Sequence, residues 1–213
     1  MIEENVKRYL AMLPPNVRLL AATKRRSAEE VRRAIKAGVQ LIGENYVQEA
    51  AQKFNEIGRI AEWHLIGHLQ RNKAKLACGI FDVIETIDSV KIAETLNRRC
   101  KDSGRVMKVM IEVNSGREEN KSGIMPEHAV ELADAIYELE NLQLIGVMTM
   151  GPAVQGENIR PYFRLTRQIF SELKERYKTV EFLSMGMTSS WKIAVEEGAN
   201  IVRIGSGIFG PRD

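Results

Sequence analysis

Cysteine is scarce in this chain: Cys78 and Cys100 are the only two among 213 residues. Their separation matches neither a disulfide framework nor a metal-ligand spacing, and so sparing a use of thiols suits a reducing cytoplasm. Excess charge of one sign is missing too. The 31 Lys plus Arg nearly balance the 28 Asp plus Glu, for a formal net charge of +3, which argues against a protein built to coat nucleic acid or an anionic membrane. Aromatic residues make up 6%, and none interleaves the basic cluster Arg71, Lys73 and Lys75, which therefore reads as a solvated face. No apolar run approaches the roughly 18 residues needed to cross a bilayer. The N-terminus, MIEENVKRYLAML, carries Glu3 and Glu4 and no clean apolar stretch, so it does not read as a secretory signal. Low-complexity segments and long Pro/Gly/Ser linkers are absent. What remains is a soluble, cytoplasmic, single-domain protein spanning residues 1–213, with 44% hydrophobic residues to fill a sizeable core.

Short apolar runs alternate with amphipathic patterns along the whole length. Eight strands are expected, at 18–23, 40–45, 62–67, 83–88, 108–114, 142–148, 181–186 and 201–205. Most are near-continuous Val, Ile, Leu and Met, as parallel strands buried on both faces require. The helices between them have readable ends. Ser27 and Glu30 have the spacing of a capping box, with Val31, Ala34 and Ile35 as the apolar stripe and Gly38 just past the end. Pro126 suits a first helical turn ahead of Ala129, Leu132, Ala133, Ile136 and Leu139. Tyr162, Leu165, Ile169 and Leu173 form another face. Eight such units point to a single (β/α)₈ TIM barrel, and the competing architecture is an open doubly wound sheet. The segment at 1–13 reads as an extra N-terminal helix covering the barrel bottom.

In such a barrel functional groups gather at the C-terminal ends of the strands. Here those ends are polar: Thr23-Lys24, Glu44-Asn45, Gly67-His68, Ser184-Met185-Gly186 and Arg203-Ile204-Gly205. After strands seven and eight come SMGMTSS (184–190), with its hydroxyls around a glycine, and GSGIFG (205–210), with three glycines in six residues. Loops in these two places suit a phosphate, which backbone N–H groups and a helix N-terminus can face. Ser190 is placed to cap the helix that begins near Trp191. Lys24, followed by Arg25 and Arg26, reads either as part of a solvated basic loop or as an amine activated by neighbouring cations and partial desolvation. Arg203 interrupts an apolar strand and needs a partner. That partner is either an interior carboxylate (Glu44, Glu85 or Glu112) or a ligand at the barrel mouth. Asn45 could serve a ligand ring or cap the next helix, and His64 and His68 read as structural. Nothing marks a metal site.

Seven motifs now fall in order: LLAATK at 19–24, GENYVQE at 43–49, WHLIGHLQRNK at 63–73, VNSGREENKSG at 113–123, GVMTM at 146–150, LSMGMTSSW at 183–191 and VRIGSGIFGPR at 202–212. Together they span nearly the whole chain, which resembles the pyridoxal phosphate homeostasis protein family, formerly called proline synthetase co-transcribed homologues. The resemblance implies a barrel like the N-terminal domain of alanine racemase, with pyridoxal 5′-phosphate (PLP) held as a lysine aldimine. It implies that Lys24 is the Schiff-base lysine and that Arg203 meets the pyridine nitrogen. Ser184, Thr188, Gly205 and Ser206 are then the phosphate-side residues, and Asn45 lies on the ring side. Two positions depart from the family pattern: Thr188 stands where Ser is common, and Ser190 where Asp is common. The first keeps a hydroxyl, and the second removes a like charge from beside a phosphate.

An arginine at the pyridine nitrogen is far too weak an acid to yield a proton to it. The ring is then a weak electron sink, and a length of 213 residues leaves no room for the second domain that supplies a catalytic tyrosine in alanine racemases. The expected function is therefore PLP binding in intracellular PLP homeostasis, without robust turnover and with no catalytic residues. The alternatives are a single-domain PLP enzyme such as a slow amino-acid racemase, or a barrel for another phosphorylated metabolite. Expected partners are PLP, amino acids and PLP-dependent apoenzymes, with no nucleic acid and no membrane. As an assembly the chain is expected to be a monomer or a weak dimer.

Overall fold

In the computed structural model, which describes residues 1–211, the apolar runs form eight parallel strands in sequence order, and the last pairs with the first to close a barrel. The strands are β1 Arg18–Ala22, β2 Leu41–Glu44, β3 Glu62–Leu65, β4 Val83–Ile87, β5 Met107–Glu112, β6 Leu142–Met148, β7 Phe182–Ser184 and β8 Ile201–Ile204. All eight expected strands are present, and most are trimmed by one or two residues because their polar C-terminal ends already turn into loops. The open-sheet alternative is excluded by the β1–β8 pairing. Arg212, at the end of the last motif, and Asp213 lie outside the described residues.

Around the barrel run α1 Ile2–Met12, α2 Ala28–Lys36, α3 Val47–Ile57, α4 Ala74–Ile80, α5 Val90–Asp102, α6 Ala129–Tyr137, α7 Arg160–Arg176, α8 Trp191–Glu196 and α9 Ser206–Phe209. The capping box at α2 is formed: Ser27 Oγ accepts from the Glu30 N–H at 3.2 Å, and Glu30 accepts from the Ser27 N–H at 2.8 Å. Gly38 follows the helix at φ +117°, a conformation that side chains resist. Ser27→Ala is expected to remove about 1 kcal/mol, read as a fall of about 2–4 °C in the thermal unfolding midpoint. Ser190 does occupy the N-cap position of α8, but its Oγ accepts from the Met187 N–H, so it stabilises the preceding turn rather than the helix.

The N-terminal helix is real, but it does not cover the barrel bottom. It packs against α2 and α9 on the barrel's flank. The reason lies in α9, a single turn that cannot cover the β8–β1 seam, so Ile2, Val6 and Tyr9 of α1 fill that part of the outer layer. The fit is close: a Cβ on Gly207 would stand 2.1 Å from the Tyr9 hydroxyl, and Asn5 Nδ2 donates to the Ile208 carbonyl at 2.9 Å.

Side chains alternate inward and outward along each strand, and the packing separates accordingly. Leu19, Ala21, Ile42, Trp63, Val202 and Ile204 join the large cluster between sheet and helices. Leu20, Leu41, Ile66 and Ile201 form one small cluster inside the barrel, and Val83, Met110 and Ile145 another, with Phe182 packed against both. Two or four residues on from these interior positions come Lys24, Asn45, Glu85, Glu112, Ser184, Arg203 and Gly205, and His64 lies two before Ile66. The alternation thus aims into the barrel most of the polar residues that interrupt its apolar strands.

Candidate functional site

A cavity of about 340 Å³ opens at the C-terminal ends of β8, β1 and β2, lined in part by Lys24, Asn45, Thr188, Arg203, Gly205 and Ser206. Six of the seven residues expected to bind the cofactor therefore share one wall. Its described lining contains two cations and no carboxylate. Ile66, Met150 and Met187 supply the apolar surface, and Ser189 a further hydroxyl.

Lys24 continues the inward register of Leu20 and Ala22 and is half-buried. Directly after it the backbone turns sharply: Arg25 is left-handed at φ +60°, its N–H donates to Glu49, and the Arg26 N–H closes the turn on the Thr23 carbonyl at 3.0 Å. A non-glycine residue in this region costs energy that the surroundings must offset. Much of the offset comes from buried Lys53 on α3, whose Nζ donates to the Thr23 carbonyl (2.6 Å), Glu44 (2.6 Å) and Glu49 (2.8 Å). Thr23 Oγ1 also donates to Glu44 at 2.6 Å. Glu44 thus faces outward, toward α3, and is not an interior partner for Arg203. Burial pushes its carboxyl above the ordinary range despite Lys53. The basic triplet is not one solvated loop. Arg25 is exposed, whereas Arg26 donates to the carbonyls of Gly210 (2.7 Å) and Pro211 (3.0 Å) and lies over the Phe209 ring.

Arg203 is 3% exposed. Its guanidinium donates to Ser184 Oγ and to the Thr149 carbonyl, each at 2.7 Å, and to Met150 Sδ at 3.3 Å. Burial lowers its pKa, while the charges of Glu85 and Glu112 work the other way. Ser184 stands apart from the cavity lining: fully buried, it touches Arg203 rather than the open space.

Beneath Arg203 a polar column runs down the barrel. His64 Nδ1 donates to Glu85 at 2.6 Å, and Nε2 lies 3.5 Å from Glu62, which Arg18 holds at 2.6 Å. Burial opposes a charge on His64, but Glu62 and Glu85 outweigh it and raise the pKa. His64 is the largest cause of the fall of Glu62 to about 2. Glu85 is also lowered: burial would raise it, but His64 and then Arg203 prevail. Glu112 goes the other way, to about 7, through burial and then the nearby charge of Asp88.

Next to the first cavity lies a second, of about 320 Å³, sharing Asn45, Ile66, Met150 and Met187 with it. Glu112, Asn114 and Lys121 line it, from the end of β5 and the long loop that follows. That loop occupies much of the unusually long interval before β6. Asn114 folds it, donating to the Glu118 carbonyl at 2.8 Å and accepting from the Glu118 N–H at 3.1 Å. Residue-by-residue reading of the sequence did not single out Lys121 or Lys53. The only trace of them is that Lys121 falls inside the fourth motif and Lys53 sits four residues from Glu49 on a helix.

A family model described as the alanine racemase N-terminal domain matches residues 1–213. The pyridoxal phosphate homeostasis protein of Aquifex aeolicus (strain VF5) is 40% identical over 198 residues, covering 92% of this chain and 87% of that protein. The protein of the same name from Escherichia coli (strain K12) is 41% identical over 207 residues, covering 94% and 88%. PipY of Synechococcus elongatus PCC7942, solved with PLP bound, superposes with a TM-score of 0.90 at 34% identity, covering 99% of this chain and 100% of that one.

Proposed function

This chain belongs to the pyridoxal phosphate homeostasis protein family, with the barrel of the alanine racemase N-terminal domain, and we propose that it holds PLP through Lys24, Asn45, Thr188, Arg203, Gly205 and Ser206. One observation carries the assignment: these six residues, from four separate stretches of sequence, line a single cavity without a carboxylate. The donor set fits the group. A phosphate needs hydroxyls and amides, here at Thr188, Gly205 and Ser206; a ring acceptor needs a donor, here Arg203; an aldehyde needs an amine, here Lys24.

When bound, PLP supplies an aldehyde that condenses reversibly with primary amines. The protein's part is to hold and orient. The Arg25 turn and Lys53 fix the backbone from which Lys24 reaches inward. Ser184 and the Thr149 carbonyl set the guanidinium plane of Arg203, so Ser184 acts as a positioning residue rather than a phosphate ligand. A guanidinium holds its proton far more tightly than a pyridine nitrogen does, so Arg203 offers the ring no proton to draw electrons with. No tyrosine lines either cavity among the described residues, so the acid–base pair that a racemase needs lacks one common member. We therefore read the chain as an intracellular PLP holder and buffer, whose second cavity, sharing Asn45, Ile66, Met150 and Met187 with the first, would admit a small amine beside the bound group.

Borohydride reduction of the PLP-loaded protein, followed by peptide mass mapping, is expected to place the phosphopyridoxyl group on Lys24. Modification confined to another lysine would remove the assignment. Sustained racemisation in a panel of amino acids, abolished by Lys24→Ala, would replace the holder with an enzyme.

A further inference from the structure

The two cysteines, unremarkable in sequence, meet in the fold. Cys78 lies near the C-terminal end of α4 and Cys100 near that of α5, 22 residues apart. Their sulfurs are 3.0 Å apart, and the side chains are 2% and 0% exposed. Arg105 ties the two helix ends together: its guanidinium donates to the carbonyls of Cys78 and Phe81, and its N–H to the Cys100 carbonyl at 3.0 Å. Helices in a β/α barrel end at the face opposite the site, where structure serves stability rather than chemistry.

We propose that Cys78 and Cys100 form a reversible intramolecular disulfide on exposure to peroxide, clamping α4 to α5 at the stability face of the barrel. The Cys78 sulfur attacks one peroxide oxygen, the O–O bond breaks, and the departing hydroxide takes up the thiol proton as water, leaving a sulfenic acid. The Cys100 sulfur then attacks the Cys78 sulfur. An S–S bond forms, the S–O bond breaks, and a second water leaves with the Cys100 proton. Two thiols are oxidised and one hydrogen peroxide is reduced to two waters. The roles are unequal. The hydrogen bond from Cys100 and then the charge of Arg105 lower the Cys78 pKa against its burial, whereas Cys100 is raised, so Cys78 is the attacking sulfur. Gly79, beside it in sequence, is exposed and adds no side chain over this end of α4.

The test uses the full-length protein, reduced, then treated with hydrogen peroxide, unfolded and alkylated with iodoacetamide. Neither cysteine should alkylate until a reductant is added, and the digest should contain one peptide pair joined through Cys78 and Cys100 within a monomer. Because the bond closes a loop of about 20 residues in the unfolded chain, oxidation should raise the unfolding midpoint by about 6–12 °C. Cys100→Ser should show no such rise. Both thiols alkylating without reduction, a link only between separate chains, or a midpoint unchanged or lowered by the link would each overturn the proposal. The wild-type alkylation pattern is decisive even if the serine variant fails to fold.

Discussion

Arg203→Ala is expected to lower the unfolding midpoint by about 6–20 °C, the equivalent of about 3–5 kcal/mol for stripping a buried charge cluster of its counterion. The magnitude follows from what stays behind. Glu85 is fully buried and Glu112 nearly so, each has one carboxylate oxygen without a hydrogen-bond partner, and Arg203 is the cation that acts on both. Removing it also strips Ser184 Oγ and the Thr149 carbonyl of their donor. Arg203→Lys keeps the charge but replaces a rigid fork with a single ammonium, so it should fall between wild type and alanine. Neutralising the carboxylates in the Arg203→Ala background, through Glu85→Gln and Glu112→Gln, should restore part of the loss. Circular dichroism melts of the ligand-free variants measure all of this. An alanine variant melting within about 2 °C of wild type would show that the interior carboxylates do not depend on Arg203.

The same residue shows how much of this protein was legible in its sequence. The strands could be read because buried parallel strands are continuous apolar runs, and most polar residues of the cavity lining stand where those runs stop. Whether a given polar residue faces inward was also available in principle. Glu44 lies three positions after inward-facing Leu41 and so must face α3, while Arg203 lies two after inward-facing Ile201. What could not be read was anything that depends on how one helix sits against another. Periodicity identified a helix at 1–13 but not that a one-turn α9 leaves a seam for it to cover. Nor does local sequence bring Cys78 to Cys100, or Lys53 under the backbone of Thr23, since those contacts exist only once the barrel has closed. The family resemblance puts Ser184 on the phosphate side with Thr188. Its inward register at the end of β7 instead sets it against Arg203.

Glu112→Gln is expected to stabilise the ligand-free protein at pH 8 by about 3 kcal/mol and to change little at pH 4.5. Glu112 is 5% exposed, its pKa rises from 4.5 to about 7, and after burial the main cause is Asp88, with Glu85 adding to the repulsion and Arg203 relieving part of it. A carboxyl whose folded pKa lies above its unfolded value favours the fold while both states are protonated, below about pH 4.5. That advantage is lost as pH rises, and the loss is complete once pH passes about 7. Glutamine keeps the neutral form at every pH, so the variant escapes the loss. His64, also raised, makes the wild type lose stability in the same direction, and lowered Glu85 works in the opposite one. The difference between variant and wild type cancels most of both contributions and isolates Glu112. Melting midpoints should therefore coincide near pH 4.5 and separate through pH 5–7, with the variant about 6–12 °C higher at pH 8. A separation that stays constant across that range would mean Glu112 ionises in the fold as it does in water.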